Sequence, residues 1–488
     1  MLLPKSSFLC SKKIIAIFSF LLIHFFNAQE NLTFNNDRYS GISSAPNSPT
    51  HPFINPNPWD INLLSEDVFL QNDYVYVSDM SFLAFRNTEV ESLSLRNNIR
   101  GFNTPHVLDY YNEDFGNYHF SSDIMGPSFS LNTTIKNQNF QLGLFTRLRT
   151  QTSAISVDNY LKFGNQGIVE PDEYTLQPLS INIMNWGEIG FNIGTNIFPY
   201  AEKEWIIGAN FKYEMGFDAV QIKSLDPILL RRYNEMTNGV EKKTIDATNY
   251  NIEANFASNY NFDSKKYEFK QKGKGFGLDL EIAVVDRDLD TDDYNLKASF
   301  GLVDLGKINF DGEQHLFKGN TVKIVNNSNL SNTKFDSPQQ YFRLLSDEVY
   351  GDENASLRGD SFSMGLPTSL HFNLSKNMRE NQYLGLDWIQ RTPVFENSLK
   401  RSNIVNVSYT VQKPIIGYGV SVSLYEYQSL QFGGYVRIGP LILGSQNVFP
   451  LIFNQKKLHS GDFYIAVKLY PFWDNEMKRH RRAKCNCD

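Results

Sequence analysis

The sequence predicts an all-β protein: a transmembrane antiparallel β-barrel of about 14 strands, with an N-terminal hatch segment and long extracellular loops. Three observations carry this. Apolar and polar residues alternate with period two from residue 59 almost to the end. The connections between alternating segments fall into a long and a short class that take turns. Past the N-terminus, no apolar run reaches the roughly 18 residues a membrane helix requires.

Composition narrows the choice further. A soluble domain rarely exceeds about 250–300 residues, so 488 residues form either several globular domains or something other than globular. Phe 38 and Tyr 25 are heavy counts beside only 20% charged residues, and a disordered chain does not carry so many aromatics.

The elements follow in order. Residues 1–28 read as a secretory signal peptide, with Lys5, Lys12 and Lys13 before an apolar run, Ile14 to Phe26, and a small-residue exit at Asn27-Ala28-Gln29. A retained anchor helix is the alternative, and the run is short for one. Losing the leader removes three lysines and no acids, so the mature chain is more acidic than its formal charge of -7. It also removes Cys10. Cys485 and Cys487 remain at the extreme end, so the body of an exported protein folds without a disulfide.

Residues 29–58 form the hatch or plug. Tyr39, Gly41, Asn47 and Pro49 mark it, and Pro46, Pro49, Pro52, Pro56 and Pro58 bar it from a ladder. A disordered leader is the competing reading. Residues 59–473 are the barrel, and 474–488 a basic periplasmic tail with Lys478, Arg479, Arg481 and Arg482.

Thirteen strands are legible: 59–76, 119–132, 139–150, 185–198, 204–222, 275–287, 294–306, 364–375, 381–390, 403–412, 418–427, 430–443 and 462–472. In 140–151, Phe140, Leu142, Leu144 and Leu148 take one face, and Gln141, Gly143, Arg147 and Arg149 the other. Connections 82–117, 151–184, 223–274 and 307–363 are long, while 133–138, 199–203, 288–293 and 376–380 are short. Long loops on one side and tight turns on the other suit an outer-membrane barrel better than a β-sandwich. Both termini in the periplasm require an even count, so a strand is missing, either within 444–461 or in a misjudged C-terminal hairpin. Fourteen is the expectation.

Several blocks resemble the Bacteroidota-type outer-membrane barrels of unknown function related to the FadL-type and PorV-like barrels. They are Trp59-Asp60-Ile61-Asn62-Leu63, Gly126-Pro127-Ser128-Phe129 with Gly143-Leu144-Phe145-Thr146-Arg147, Trp186-Gly187-Glu188-Ile189-Gly190, Gly273 to Leu280, and Arg437-Ile438-Gly439-Pro440-Leu441 with Gly444-Ser445. The resemblance implies a hatch-bearing barrel of about fourteen strands. FadL-type barrels carry an Asn-Pro-Ala hatch motif where this chain reads Asn47-Ser48-Pro49.

The expected lumen face carries Arg147, Arg149, Lys212, Arg437 and Lys468 against Glu188, Glu214, Asp279 and Glu281, with His371. Opposed charges in an enclosure pair with one another or with the hatch more readily than they bind solute. The histidines show no metal-ligand spacing and no serine partner, so neither catalysis nor a cofactor or metal is expected. Asp286, Asp288, Asp290, Asp292 and Asp293 lack the glycine and closing glutamate of a calcium loop and read as a solvated turn. Lys265, Lys266, Lys270, Lys272 and Lys274 lie in an expected external loop, where lipopolysaccharide is the neighbouring anion. Tyr76, Phe198, Tyr200, Trp205, Tyr470, Phe472 and Trp473 suit an aromatic girdle. Expected partners are outer-membrane lipid, a hydrophobic small molecule or a surface-assembly protein, and not nucleic acid. Two functions follow: a passive channel or hydrophobic-solute transporter gated by the hatch, or a non-transporting scaffold that docks partners of a secretion, motility or surface-assembly system.

Overall fold

In the computed structural model the chain closes into a barrel of fourteen antiparallel staves. The structure describes residues 32–471, apart from 93–105, 112–114, 137, 159–170, 198–202, 238, 262–263, 265, 288–292, 326–334 and 336. The expected signal peptide, the basic tail with Cys485 and Cys487, most of the acidic turn, Lys265, and Phe198, Tyr200, Phe472 and Trp473 of the expected girdle lie outside the described residues.

The staves are β1 (Trp59–Asn72), β2 (Phe115–Met125 and Ser128–Ile135), β3 (Gln138–Asp158), β4 (Ser180–Asn196), β5 (Lys203–Ser224), β6 (Gly273–Arg287) and β7 (Tyr294–Val325). They continue as β8 (Leu357–Gly365 and Ser369–Arg379), β9 (Gln382–Arg391), β10 (Ile404–Gln412), β11 (Ile416–Tyr425), β12 (Ser429–Ile438), β13 (Leu441–Ser445) and β14 (Ser460–Leu469). Ile61 pairs with Leu469 and Gln71 with Ser460, so β1 and β14 close the ring. The period-two pattern produces this shape directly. On β5, Trp205, Ile207, Phe211 and Tyr213 face out and are exposed, while Asn210, Lys212 and Glu214 face in and are buried.

The missing strand is a misread hairpin. Segment 430–443 is two staves, β12 and β13, turned at Gly439, whose φ is +54°. The turn is only the two residues Gly439-Pro440, across which the outward positions slip from even to odd numbers. The first stave ends at Asn72 rather than residue 76, because Val75–Met80 leaves the barrel for a small outer sheet with Val107–Tyr110 and Gln455–Leu458.

The long connections are also more regular than expected. Val240–Ala257 pairs with the outer half of β7, Thr244 with Val325 through Phe256 with Glu313, and Ile228–Thr237 pairs with it in turn. This part of the wall therefore projects past the apolar band. A helix, Pro338–Tyr350, caps it: Ser337 Oγ accepts from Gln340 N, and Phe342 stacks on Phe256 at 4.9 Å and on His315 at 5.4 Å.

The ladder between β1 and β2 skips a step where Gly126-Pro127 breaks β2 and β1 bulges at Leu63 and Leu64. Asn62 Nδ2 covers that step, donating to Met125 O and Gly126 O at 3.2 and 3.3 Å.

Candidate functional site

Residues 32–58 occupy the enclosed space as α1 (Leu32–Asn35) and two 3-10 turns, Gly41–Ser44 and His51–Ile54. The prolines that keep this stretch out of the ladder also keep it compact. Leu32 starts beside Val68, Phe69, Ile389 and Tyr425, toward the long-loop end. Arg38 then reaches the short-turn end, pairing with Asp293 at 2.8 Å and donating to Asn381 Oδ1 at 2.8 Å. The chain returns inward before Phe53 and Ile54 pack on Ile206, Val285, Tyr294 and Tyr383.

Polar bonds fasten this segment to staves on several sides. Arg437 Nε meets Asp37 Oδ2 at 3.0 Å, and the Tyr39 ring lies 4.7 Å from the Arg437 guanidinium. Lys468 pairs with Asp60 at 2.5 Å and also donates to the carbonyl of Ser40. The other oxygen of Asp60 accepts from Ile42 N at 2.6 Å, next to Gly41, whose φ is +51°. Glu281 accepts from Ser48 Oγ, Thr50 N and Thr50 Oγ1 at 2.7–2.9 Å. Asn192 Nδ2 donates to Pro49 O at 3.1 Å. Asn47 meets His371 Nδ1 through its carbonyl at 3.1 Å and Arg401 through Oδ1 at 3.2 Å.

A second set of charges binds wall to wall. Arg147 pairs with Asp123 on β2 and with Glu188 on β4 at 3.1 Å, and Arg149 with Glu188 at 2.7 Å. Arg149 also crosses from β3 to Asp304 on β7 at 3.0 Å. Lys212 meets Asp304 at 2.5 Å and Asp279 at 2.9 Å. Asp304 sits at a bulge with φ +59°, a left-handed conformation that turns its carboxylate inward. Glu214, directly opposite Glu188 in the ladder, is buried and neither of its carboxylate oxygens has a hydrogen-bond partner.

The ten charged and histidine positions singled out in the sequence are thus all buried, but they form two groups. Arg147, Arg149, Glu188, Lys212, Glu214 and Asp279 belong to the wall network, whereas Glu281, His371, Arg437 and Lys468 hold the N-terminal segment. Alternation could place these residues on a face but not assign their partners. Asp304 was missed because a bulge shifts it out of phase. His51 was missed because it lies in no strand. Its Nδ1 accepts from Lys297 Nζ at 2.8 Å and its Nε2 donates to Asp37 O at 3.1 Å. Burial, and then the Lys297 ammonium, push its imidazole well below the ordinary histidine range.

From the long-loop side, residues 392–403 fold inward. Leu399 N donates to Gly365 O at 3.1 Å, and Leu399 is buried against the group containing Trp186 and Phe310. A small cleft stays open beneath, lined by His119, Asp123, Arg149, Gln151 and Arg401 together with Phe120 and Trp186. The sequence also gave no sign of a serine beside a histidine, yet Ser356 Oγ lies 2.9 Å from His315 Nδ1, with Glu313 3.2 Å from Nε2. Ser356 is wholly buried, and the trio is joined to the helix by Ser356 N donating to Ser346 Oγ at 3.0 Å and by Arg343 pairing with Glu313 at 2.9 Å, so it serves to hold helix and wall together. Among the described residues, no group of His, Cys, Asp and Glu is arranged to hold a metal ion.

Two solved structures are similar to the chain. The Ralstonia pickettii toluene transporter TbuX is 9% identical, covers 92% of this chain and 99% of its own, and has a TM-score of 0.28. A Pseudomonas aeruginosa FadL homologue is 7% identical, covers 87% of this chain and 93% of its own, and has a TM-score of 0.22. At such scores nothing about the chain follows from them. No curated protein matches the sequence. Residues 54–446, which span the barrel from its entry to the end of β13, match the model of a family of unknown function, DUF5723, and the chain belongs to that family.

Proposed function

We propose that the protein is an outer-membrane barrel that works as a passive channel, held shut by residues 32–58 acting as a hatch. The observation that carries this is the chemistry of the seal. Beside its apolar contacts, the segment is fastened through Asp37, Asn47, Ser48 and Thr50 to Arg437, Arg401 and Glu281, and hydrogen bonds to charged groups contribute only about 1.5–3 kcal/mol each when water can replace the lost partner. Leu32, Phe34, Ile42, Phe53 and Ile54 supply the rest of the seal by apolar burial against the wall. The charged residues that line the enclosed space, Arg147, Arg149, Glu188 and Asp304 among them, favour a small water-soluble solute over a hydrophobic one. The outward band of Phe211, Ile282, Val420 and Val436 suits lipid, and Lys266, Lys270, Lys272 and Lys274 suit the phosphates of lipopolysaccharide.

A second reading, the non-transporting scaffold, is favoured by one specific contact. Arg149–Asp304 ties β3 to β7 and would block a path even with the hatch gone. Solute flux into liposomes separates the two, using the full chain and a chain lacking residues 29–58. Flux only after truncation supports the gate. No flux in either form removes the channel and leaves the scaffold.

A further inference from the structure

The thirteenth stave is too short for its position. Leu441–Ser445 has five residues, where crossing the apolar layer takes about 9–11. Its partners outrun it: β12 pairs with it only as far as Gly434 and β14 only as far as Tyr464. Above that level, Ser429–Gly433 and Ser460–Phe463 face each other with no strand between them.

Gln446 and Asn447 fill the inner side of this notch. Gln446 N donates to the Asp462 carboxylate, and Asn447 Nδ2 donates to Ser460 Oγ at 2.8 Å. A short helix, Val448–Ile452, follows on the outer side. Leu451 is buried, whereas Phe449, Ile452 and Phe453 are 52%, 58% and 57% exposed. Large apolar side chains grouped this way on a surface mark a covered face.

Depth identifies the cover. The Phe449 ring meets that of Phe432 edge-on at 5.8 Å. Phe432 lies on the outward face of β12, two residues inside Leu430, which is itself outward and exposed. The helix therefore sits at the level of the apolar band and is continuous with it. Phe82 N donates to Pro450 O at 2.8 Å, which brings exposed Leu83 and Phe85 to the same sector. No charge occurs in 448–453, and Lys456 and Lys457, both exposed, follow at once.

We propose that Val448–Phe453, with Leu83 and Phe85, is seated among the acyl chains of the outer leaflet and completes the wall where β13 stops, with Lys456 and Lys457 at the level of the lipid phosphates. The inference rests on the outer-membrane reading, and its test keeps the two apart. In the full chain carrying C10S, C485S and C487S, a nitroxide is attached at F449C, at I452C, at V422C on the outward band, and at D352C in an outer turn. Each chain is placed in phospholipid vesicles, and collision with oxygen is compared with collision with a water-soluble nickel complex. The expected result is oxygen access and loss of nickel access at 449 and 452, as at 422 and opposite to 352. Nickel access at 449 and 452 with lipid behaviour at 422 overturns the inference and spares the barrel. Exclusion of both probes at 449 and 452 overturns it in favour of a protein cover, such as a second copy. Nickel access at 422 as well overturns the outer-membrane reading itself.

Discussion

Arg437 and Asp37 face each other at 3.0 Å with both side chains fully enclosed, one on the wall and one on the N-terminal segment. Arg437 also donates to the carbonyls of Lys413 and Pro414 and to Tyr470 Oη, so its position is fixed from the wall side. Asp37 has Tyr435 Oη as a second donor at 2.8 Å. Replacing Arg437 with methionine keeps the bulk and strands the Asp37 carboxylate, at about 3–5 kcal/mol if the segment stays in place. The segment has the alternative of moving toward water. R437M is therefore expected to admit protease to residues 32–58 while the barrel keeps its heat-dependent shift in gel mobility. Wild-type resistance within 32–58 would remove Arg437 as a latch.

The wall network answers to a different test. Among the described residues Lys212 is the ammonium that pairs with Asp279, and it shares Asp304 with Arg149. K212M leaves Asp279 buried with Asn210 Nδ2 as its remaining side-chain donor and should destabilise the barrel by about 3–5 kcal/mol. Adding D279N should restore part of that loss, because the stranded charge goes with it. Thermal unfolding in detergent reads both. Equal losses in the single and double variants would show that packing of the lysine stem, not its charge, is what matters.

How much of this was legible depended on what a residue's position obeys. Trp205 to Glu214 could be assigned to two faces from sequence because a strand obliges alternate side chains to oppose. The closure at β13 was legible only as a slip of phase: at Gly439-Pro440 the outward residues change from the even positions Val436 and Ile438 to the odd positions Leu441 and Leu443, a shift easily taken for one irregular strand. Bulges defeat the pattern as well. Asp304 faces inward only because the ladder slips beside Asp279. The N-terminal segment is harder again: Pro46 and Pro49 say what it cannot be, but no period tells that Asp37 meets Arg437, a contact 400 residues away in the chain.

Acid should loosen the segment through His51. Its imidazole is buried as the neutral form between Lys297 Nζ and Asp37 O, with an affinity for protons well below that of an exposed histidine near 6.5. An unfolded or released segment takes up the proton first as pH falls below about 6.5, so stability is full above that value and declines beneath it. Protease resistance of residues 32–58 is expected to drop between pH 7.5 and 5 in the wild type. H51Q, which cannot take the proton, should flatten that dependence. The same slope in H51Q would transfer the effect to another group.

Gly41 tests whether the fit of the segment, apart from its charges, keeps it in place. Its φ of +51° is one that side chains adopt reluctantly, at about 1 kcal/mol relative to glycine. A Cβ there would also fall inside contact distance of the Asp60 carboxylate, the group that holds Ile42 N at 2.6 Å and Lys468 at 2.5 Å. G41A therefore combines backbone strain with displacement of a bond acceptor. Gly239 supplies the comparison, since its φ is +76° and a Cβ would meet nothing within 4 Å. G41A is expected to raise solute flux and protease access at residues 32–58, whereas G239A should leave both at the wild-type level. If the two variants behave alike, the close approach of Gly41 to Asp60 has no part in holding the segment.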